Sequence, residues 1–128
     1  MKPPVETIRI SRQGREQLMK LKRNTGIPHW NILCRWALCA SLREQSPPQE
    51  QSQKLDGGVE MVWKVLVGDH GDVYAAIVLE RARRDGFDVT PEGAGRCIRA
   101  HIHRGLTYLA SGNETRSLAD FADRWVAG

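Results

Sequence analysis

The spacing of hydrophobic residues changes period several times along the chain. Thr7–Ser11 reads TIRIS, with Ile8 and Ile10 alternating with Thr7, Arg9 and Ser11, and a period of two predicts a short strand. Gly14, Leu18 and Leu21 then recur at helical spacing, with Arg15, Lys20, Lys22 and Arg23 on the other sides. Ser11 is placed to cap this helix, and Thr25-Gly26 ends it, glycine being suited to the left-handed residue after a helix. Ile27-Pro28 restarts the chain. A second helix, from about His29 to Leu42, is apolar almost all round, interrupted only by Asn31, Arg35 and Ser41.

Gln45–Gly58, QSPPQEQSQKLDGG, is polar and rich in Pro, Gln and Ser, and reads as a solvated loop. Val59–Val67, VEMVWKVLV, alternates in part and predicts a second strand, followed by a turn at Gly68–Asp72. Val73 to about Arg84 predicts a helix with Tyr74, Ile77, Val78 and Arg81 near one another. After a turn at Asp85–Asp88, Thr90-Pro91 is a helix start, Thr as N-cap and Pro at the first position. That helix carries Cys97, Ile98, Ile102, Leu106 and Leu109. Ser117–Val126 predicts a last helix with Leu118, Phe121, Ala122 and Trp125 on one face.

These elements predict a mainly α fold with one or two short β-strands. Its 128 residues are the length of one domain. Residues 7–43 form a ribbon-helix-helix-like N-terminal core, 45–58 a loop, and 59–128 a mainly helical extension. In a ribbon-helix-helix module the strands of two chains pair and the second helices pack across the dimer axis. A helix without a polar face is poorly suited to the surface of a small monomer. The His29–Leu42 helix therefore predicts an oligomer, with Trp30, Leu33, Trp36 and Ala37 at the interface.

The net charge of +4 is a remainder. Residues 1–43 carry +7, residues 44–60 carry −3, and residues 61–128 sum to zero. Phosphate neutralisation needs clustered cations. Arg9, Arg12, Arg15, Lys20, Lys22 and Arg23 are accordingly the candidate nucleic-acid contacts. The chain has no apolar run long enough for a membrane helix. Its start lacks the apolar core of a secretory signal, so the expected compartment is the cytoplasm. Three cysteines are too few and wrongly spaced for a disulfide framework and are expected as reduced thiols.

Motifs for catalysis are weak. His101 and His103 are two apart on a helix and point to different sides, and Cys34 and Cys39 are likewise splayed. Asp69, His70 and Asp72 could gather round an ion in a turn, although Asp in such turns usually satisfies backbone N–H groups. Asp120 and Asp123 read as solvent-facing. No nucleophile–base arrangement and no complete dinucleotide fingerprint is present, so neither metal nor cofactor is expected. Two alternatives to a DNA-binding subunit stand beside it. One is a sequence-specific ribbon-helix-helix repressor reading bases through Thr7, Arg9 and Ser11; the other is a metal-dependent nickase using Asp69 and Asp72.

Two stretches carry a family resemblance: NTGIPHWNILCRWALCASL (Asn24–Leu42) and HIHRGLTYL (His101–Leu109). Together with IRISRQGREQLMKLK (Ile8–Lys22), they resemble the DndE family of DNA sulfur-modification proteins. Trp30 and Trp36 stand where smaller apolar residues are usual in the first stretch. The resemblance implies a small, non-catalytic subunit of the machinery that replaces a non-bridging backbone oxygen of DNA with sulfur. It further implies a homotetramer that binds duplex DNA, preferring nicked duplex, through basic surface residues, beside partner subunits that perform the sulfur and ATP chemistry. Arg15, Lys20, Lys22 and Arg23 fall where the family's basic face would lie. Arg35 and Arg104 match motif positions among apolar neighbours, where buried or intersubunit contacts compete with phosphate.

Overall fold

A computed structural model describes residues 2–50 and 54–111. In chain order it contains β1 (Thr7–Ile10), α1 (Arg12–Thr25), α2 (Trp30–Leu42), β2 (Val59–Val62), α3 (Trp63–Val67), a 3-10 turn (Gly68–His70), α4 (Gly71–Asp85) and α5 (Pro91–Ala110). The predicted helix at Ser117–Val126 lies outside the described residues, as do Asp120 and Asp123.

The local signals for helix ends act as expected. Ser11 Oγ accepts from the Gly14 N–H at 3.0 Å and caps α1, which ends at Gly26 with φ 76°. Thr90 Oγ1 accepts from the Gly93 N–H at 3.1 Å and caps α5, with Pro91 in its first turn. The second predicted strand is shorter than its alternation suggested. Only Val59–Val62 is extended; Trp63–Val67 turns into α3 because Trp63, Leu66 and Val67 are buried at helical, not alternate, spacing.

β1 pairs antiparallel with β2 of the same chain, Ile8 opposite Met61 and Arg9 opposite Glu60. The strand–helix–helix order of residues 7–42 is present, but the strand finds its ladder within the chain instead of in a second copy. Ile8 and Ile10 point into the core and Thr7 and Arg9 outward.

α5 is the central element. Ala94, Ile98, Ile102, Leu106 and Leu109 are fully buried, recurring every three or four residues along the face that meets α1, α2 and α4. Burial of each large side chain contributes about 1.5–3 kcal/mol. α2 lies closest. Gly105 packs directly on the α2 backbone, where a Cβ would overlap the Ala37 carbonyl. Leu33, Ala37 and Leu38 are fully buried there, which explains the second helix's lack of a polar face. Its apolar residues are largely consumed by the chain's own core.

The α2–α5 contact is locked by buried polar groups. Ser41 Oγ lies 2.8 Å from His101 Nδ1 and accepts from Arg104 Nε at 2.8 Å. His101 Nε2 lies 3.0 Å from Asp85 Oδ2 at the end of α4. Since the Asp85 carboxylate can only accept, His101 donates to it from Nε2, and Nδ1 of the neutral ring accepts from the Ser41 hydroxyl. Arg81 sits 3.6 Å from the same carboxylate and donates to the Leu42 and Glu44 carbonyls, both at 2.9 Å. Arg104 donates to the Ser41 and Ser46 carbonyls at 2.9 and 3.0 Å. Two arginines thus satisfy carbonyls left open where α2 ends. α4 departs from expectation for the same reason: its inward face is Ala75, Val78, Arg81 and Ala82, whereas Ile77 is exposed.

Gly105→Ala forces the two backbones apart and is expected to cost about 1–3 kcal/mol, read as a lower urea midpoint in chemical unfolding. Burial, reinforced by the Arg81 cation, pushes His101 down to about 4 against the opposing hydrogen bond to Asp85. In the unfolded chain a histidine titrates near 6.5, so the unfolded state binds the extra proton between those values. Stability is therefore full above about pH 6.5 and falls as the pH is lowered towards 4. Urea melts across that range should show the fall, and His101→Gln should flatten it in part; an unaltered slope in the variant would mean that His101 is not its source.

Candidate nucleic-acid interface

The six nominated basic residues do not share one environment. Arg9 is exposed on β1 and lies 4.0 Å from Glu60 across the ladder. Arg12 donates from Nε to the Asp56 carbonyl at 3.1 Å and covers Gly57. Lys20 is half-buried and its Nζ donates to the Ala110 carbonyl at 2.9 Å, capping the C-terminal end of α5. Arg12 and Lys20 are thus structural staples. Arg15, Lys22 and Arg23 are exposed, with no carboxylate within 4.0 Å among the described residues.

Helical geometry separates these two sets. Gln13, Gln17 and Lys20, at i, i+4 and i+7, run along the side of α1 that faces α5. Arg15 and Lys22 lie roughly 200° further round, at 100° per residue. Exposed Met19 continues that outer strip between them, and Arg23 borders it. Lys22 and Arg23 also occupy the last turn, where cations complement the helix dipole.

The strand-reading set breaks up. Thr7 and Arg9 are exposed, but Ser11 is buried at the α1 N-terminus with its hydroxyl engaged. Arg35 and Arg104, the two motif arginines, are taken by internal carbonyls. Arg35 donates from Nε to the Leu66 carbonyl at 2.7 Å, and Asn31 donates to the Val65 carbonyl at 3.1 Å, so two of the three polar residues of α2 tie down α3.

Leu33 and Ala37, expected at an oligomer interface, are instead fully buried within the chain. Trp30 and Trp36 are half-buried beside them, and Trp30 Nε1 is buried without a hydrogen-bond partner. On the outer side of α2, Cys39 is exposed, with its Sγ 3.6 Å from the Tyr74 hydroxyl. Val65 on α3 is an exposed apolar neighbour of this side.

Among the described residues, the ligand-type side chains that converge are Asp85, Cys97 and His101, not Asp69, His70 and Asp72. The buried set is poorly suited to a cation. Both His101 nitrogens are engaged, the Arg81 guanidinium abuts the carboxylate, and burial pushes the Cys97 thiol up to about 12, away from the thiolate a metal needs. Sequence reasoning missed this cluster because Asp85 sits on a different helix from His101 and Cys97.

It also missed a cleft of 310 Å³ between α1, α5 and the segment after α2. The described parts of the segment predicted as a solvated loop, 45–50 and 54–58, are pinned to the fold. Pro48 is buried, Glu50 accepts from Arg96 Nε and Nη2 at 2.6 and 2.7 Å, and the Lys54 carbonyl accepts from the Arg12 N–H at 3.1 Å. Arg96 and Arg99, absent from the nominated cations, line this cleft with His103. The recurrence of Arg96, Arg99 and His103 at i, i+3 and i+7 was the available signal.

Residues 7–117 match the family of the DNA sulphur modification protein DndE. The fold is similar to the crystal structure of DndE from Escherichia coli B7A, described as involved in DNA phosphorothioation modification. That likeness has a TM-score of 0.69 and 25% identity, covering 85% of this chain and 98% of the other. A DndE G21/24K mutant, also described as involved in DNA phosphorothioation, has a similar fold with a TM-score of 0.67 at 23% identity, over 85% and 99% of the two chains. No curated protein matches the sequence. With the match spanning most of its length, the chain belongs to the DndE family of DNA sulphur modification proteins.

Proposed function

We infer that this chain is a non-catalytic, DNA-binding subunit of a DNA phosphorothioation machinery, working as a homo-oligomer, a tetramer, in the cytoplasm beside the subunits that carry the sulfur chemistry. The observation that carries the reading is the outer strip of α1, where Arg15, Lys22 and Arg23 are exposed and unpaired among the described residues. Cations in that state neutralise phosphates without first breaking an internal ion pair. Such contacts read the backbone and not the bases, which suits a chemistry that acts on the backbone. A nick lowers the elastic cost of bending a duplex onto several such strips, and this favours nicked over intact DNA.

Oligomerisation is supported by the outer side of α2. Half-buried Trp36 and exposed Cys39, with exposed Val65 of α3 nearby, leave apolar surface that a second copy would cover.

Lys22→Glu and Arg23→Glu are expected to weaken binding to nicked duplexes of every sequence alike. The slope of log affinity against log salt should fall by about 0.9 for every phosphate that is no longer neutralised. Fluorescence anisotropy titrations at several salt concentrations measure both effects. Unchanged affinity and slope in the double variant would overturn the assignment of this face. Lys20→Glu, by contrast, should act through stability, because that lysine caps α5.

A further inference from the structure

The cleft between α1 and α5 is a second cationic feature, on the side of α1 away from Arg15 and Lys22. One wall is a stripe of α5 running through Arg96, Arg99 and His103. The opposite wall is Gln13 and Gln17 of α1, and the segment Glu44–Glu50 closes one side. Its arginines differ in what they already hold. Arg104 is saturated by Ser41 and Ser46. Arg96 lies 5.7 Å from the Phe87 ring centre and grips the Glu50 carboxylate through two parallel N–H···O bonds. Arg99, one turn further along the same stripe, has neither a hydrogen bond nor a carboxylate within 4.0 Å among the described residues.

A planar guanidinium gripping a carboxylate through Nε and one terminal nitrogen uses the bidentate geometry that it uses for phosphate. The Arg96 pair holds Glu50 below the ordinary carboxylate range, so the internal anion is fully charged at neutral pH. We propose that this cleft is a binding site for a phosphate-class oxyanion, with Arg99 and Arg96 as its cationic clamp and the Glu50 carboxylate as the internal anion that the ligand displaces. The charges fit. Arg96, Arg99 and Arg104 face Glu44 and Glu50, a surplus of one, which becomes two once Glu50 leaves, matching a phosphate dianion.

Neutral donors complete the lining. Burial and the Arg99 cation push His103 down to about 4, leaving it uncharged at pH 7. Its Nε2 accepts from the Ser11 N–H at 3.2 Å, so the ring proton sits on Nδ1 and is available as a donor. The Gln13 and Gln17 side-chain amides add donors of the same neutral kind. The site is independent of the α1 strip, so loss of DNA binding in the Lys22 and Arg23 variants leaves it standing.

Calorimetric titration of the full chain with inorganic phosphate, with adenosine 5′-monophosphate, and with a short single strand carrying either a 5′-phosphate or a 5′-hydroxyl tests the assignment. Saturable binding of at least one phosphate probe is expected. Arg99→Ala should weaken it about tenfold, the scale of one charge-assisted hydrogen bond, with partial rescue by Arg99→Lys. Glu50→Gln should tighten it, because it removes the competing charge, an effect that a merely structural Glu50–Arg96 pair would not produce. Thermal melting of Arg99→Ala should match the parent protein, since Arg99 holds no partner among the described residues. Binding of phosphate and the mononucleotide identifies a free anion as the source. Binding confined to the 5′-phosphorylated strand identifies a nucleic-acid end, and both outcomes support the site. Absence of binding by every probe, or affinities that ignore both Arg99→Ala and Glu50→Gln, overturns it.

Discussion

Backbone contact between α2 and α5 at Gly105 sets the geometry of everything around it. With no side chain at that position, the two helices approach until the Ala37 carbonyl meets the α5 backbone. At that separation Leu33, Leu38, Ile102 and Leu106 are fully buried, and Ser41 comes within hydrogen-bonding reach of His101. A buried polar chain then becomes possible, running from Arg104 through Ser41 and His101 to Asp85 and Arg81. Each residue in it gains hydrogen-bond partners, which lets buried polar groups specify a structure, although Arg81 Nε, 3.6 Å from Asp85, makes no hydrogen bond. α4 is held by that chain, α1 rests on α5, and α3 hangs from Arg35 and Asn31.

The same arrangement sorts the chain's cations into two kinds. Arginines and lysines that lie near helix ends are drawn inward by open carbonyls: Arg35 to α3, Arg81 and Arg104 to the end of α2, and Lys20 to the end of α5. Those that meet no such carbonyl among the described residues, Arg15, Lys22 and Arg23 on α1 and Arg99 on α5, keep their charge for solvent or for a ligand. A basic N-terminal third is therefore not one basic surface. It is a narrow outer strip on α1 backed by lysine and arginine staples.

Much of the fold was legible in the sequence because its signals are local. Alternation marked β1, Ser11 and Gly26 bracketed α1, and Thr90-Pro91 opened α5. The strand prediction at Val59–Val67 overran because a short amphipathic helix and a half-buried strand place apolar residues almost alike over nine positions. The apolar second helix was misread in one respect. Its sequence shows that it must be covered, but not by what, and α5 covers most of what a second copy was expected to cover. Of the candidate site, charge density singled out α1, yet could not separate Arg15, Lys22 and Arg23 from Arg12 and Lys20. That distinction rests on carbonyls contributed from Asp56 and Ala110, remote in sequence. The cleft was invisible for the same reason, since Glu50 meets Arg96 across 46 residues.

The chain has a core that its own helices complete; under the proposed function its outer α2 surface meets copies of itself and its α1 strip meets duplex DNA. The solution mass, measured by sedimentation with and without a nicked duplex, tests both together. The expected result is a species of four chains that gains the mass of a duplex on mixing. A single 14.4 kDa species, unchanged by nicked DNA, would contradict it.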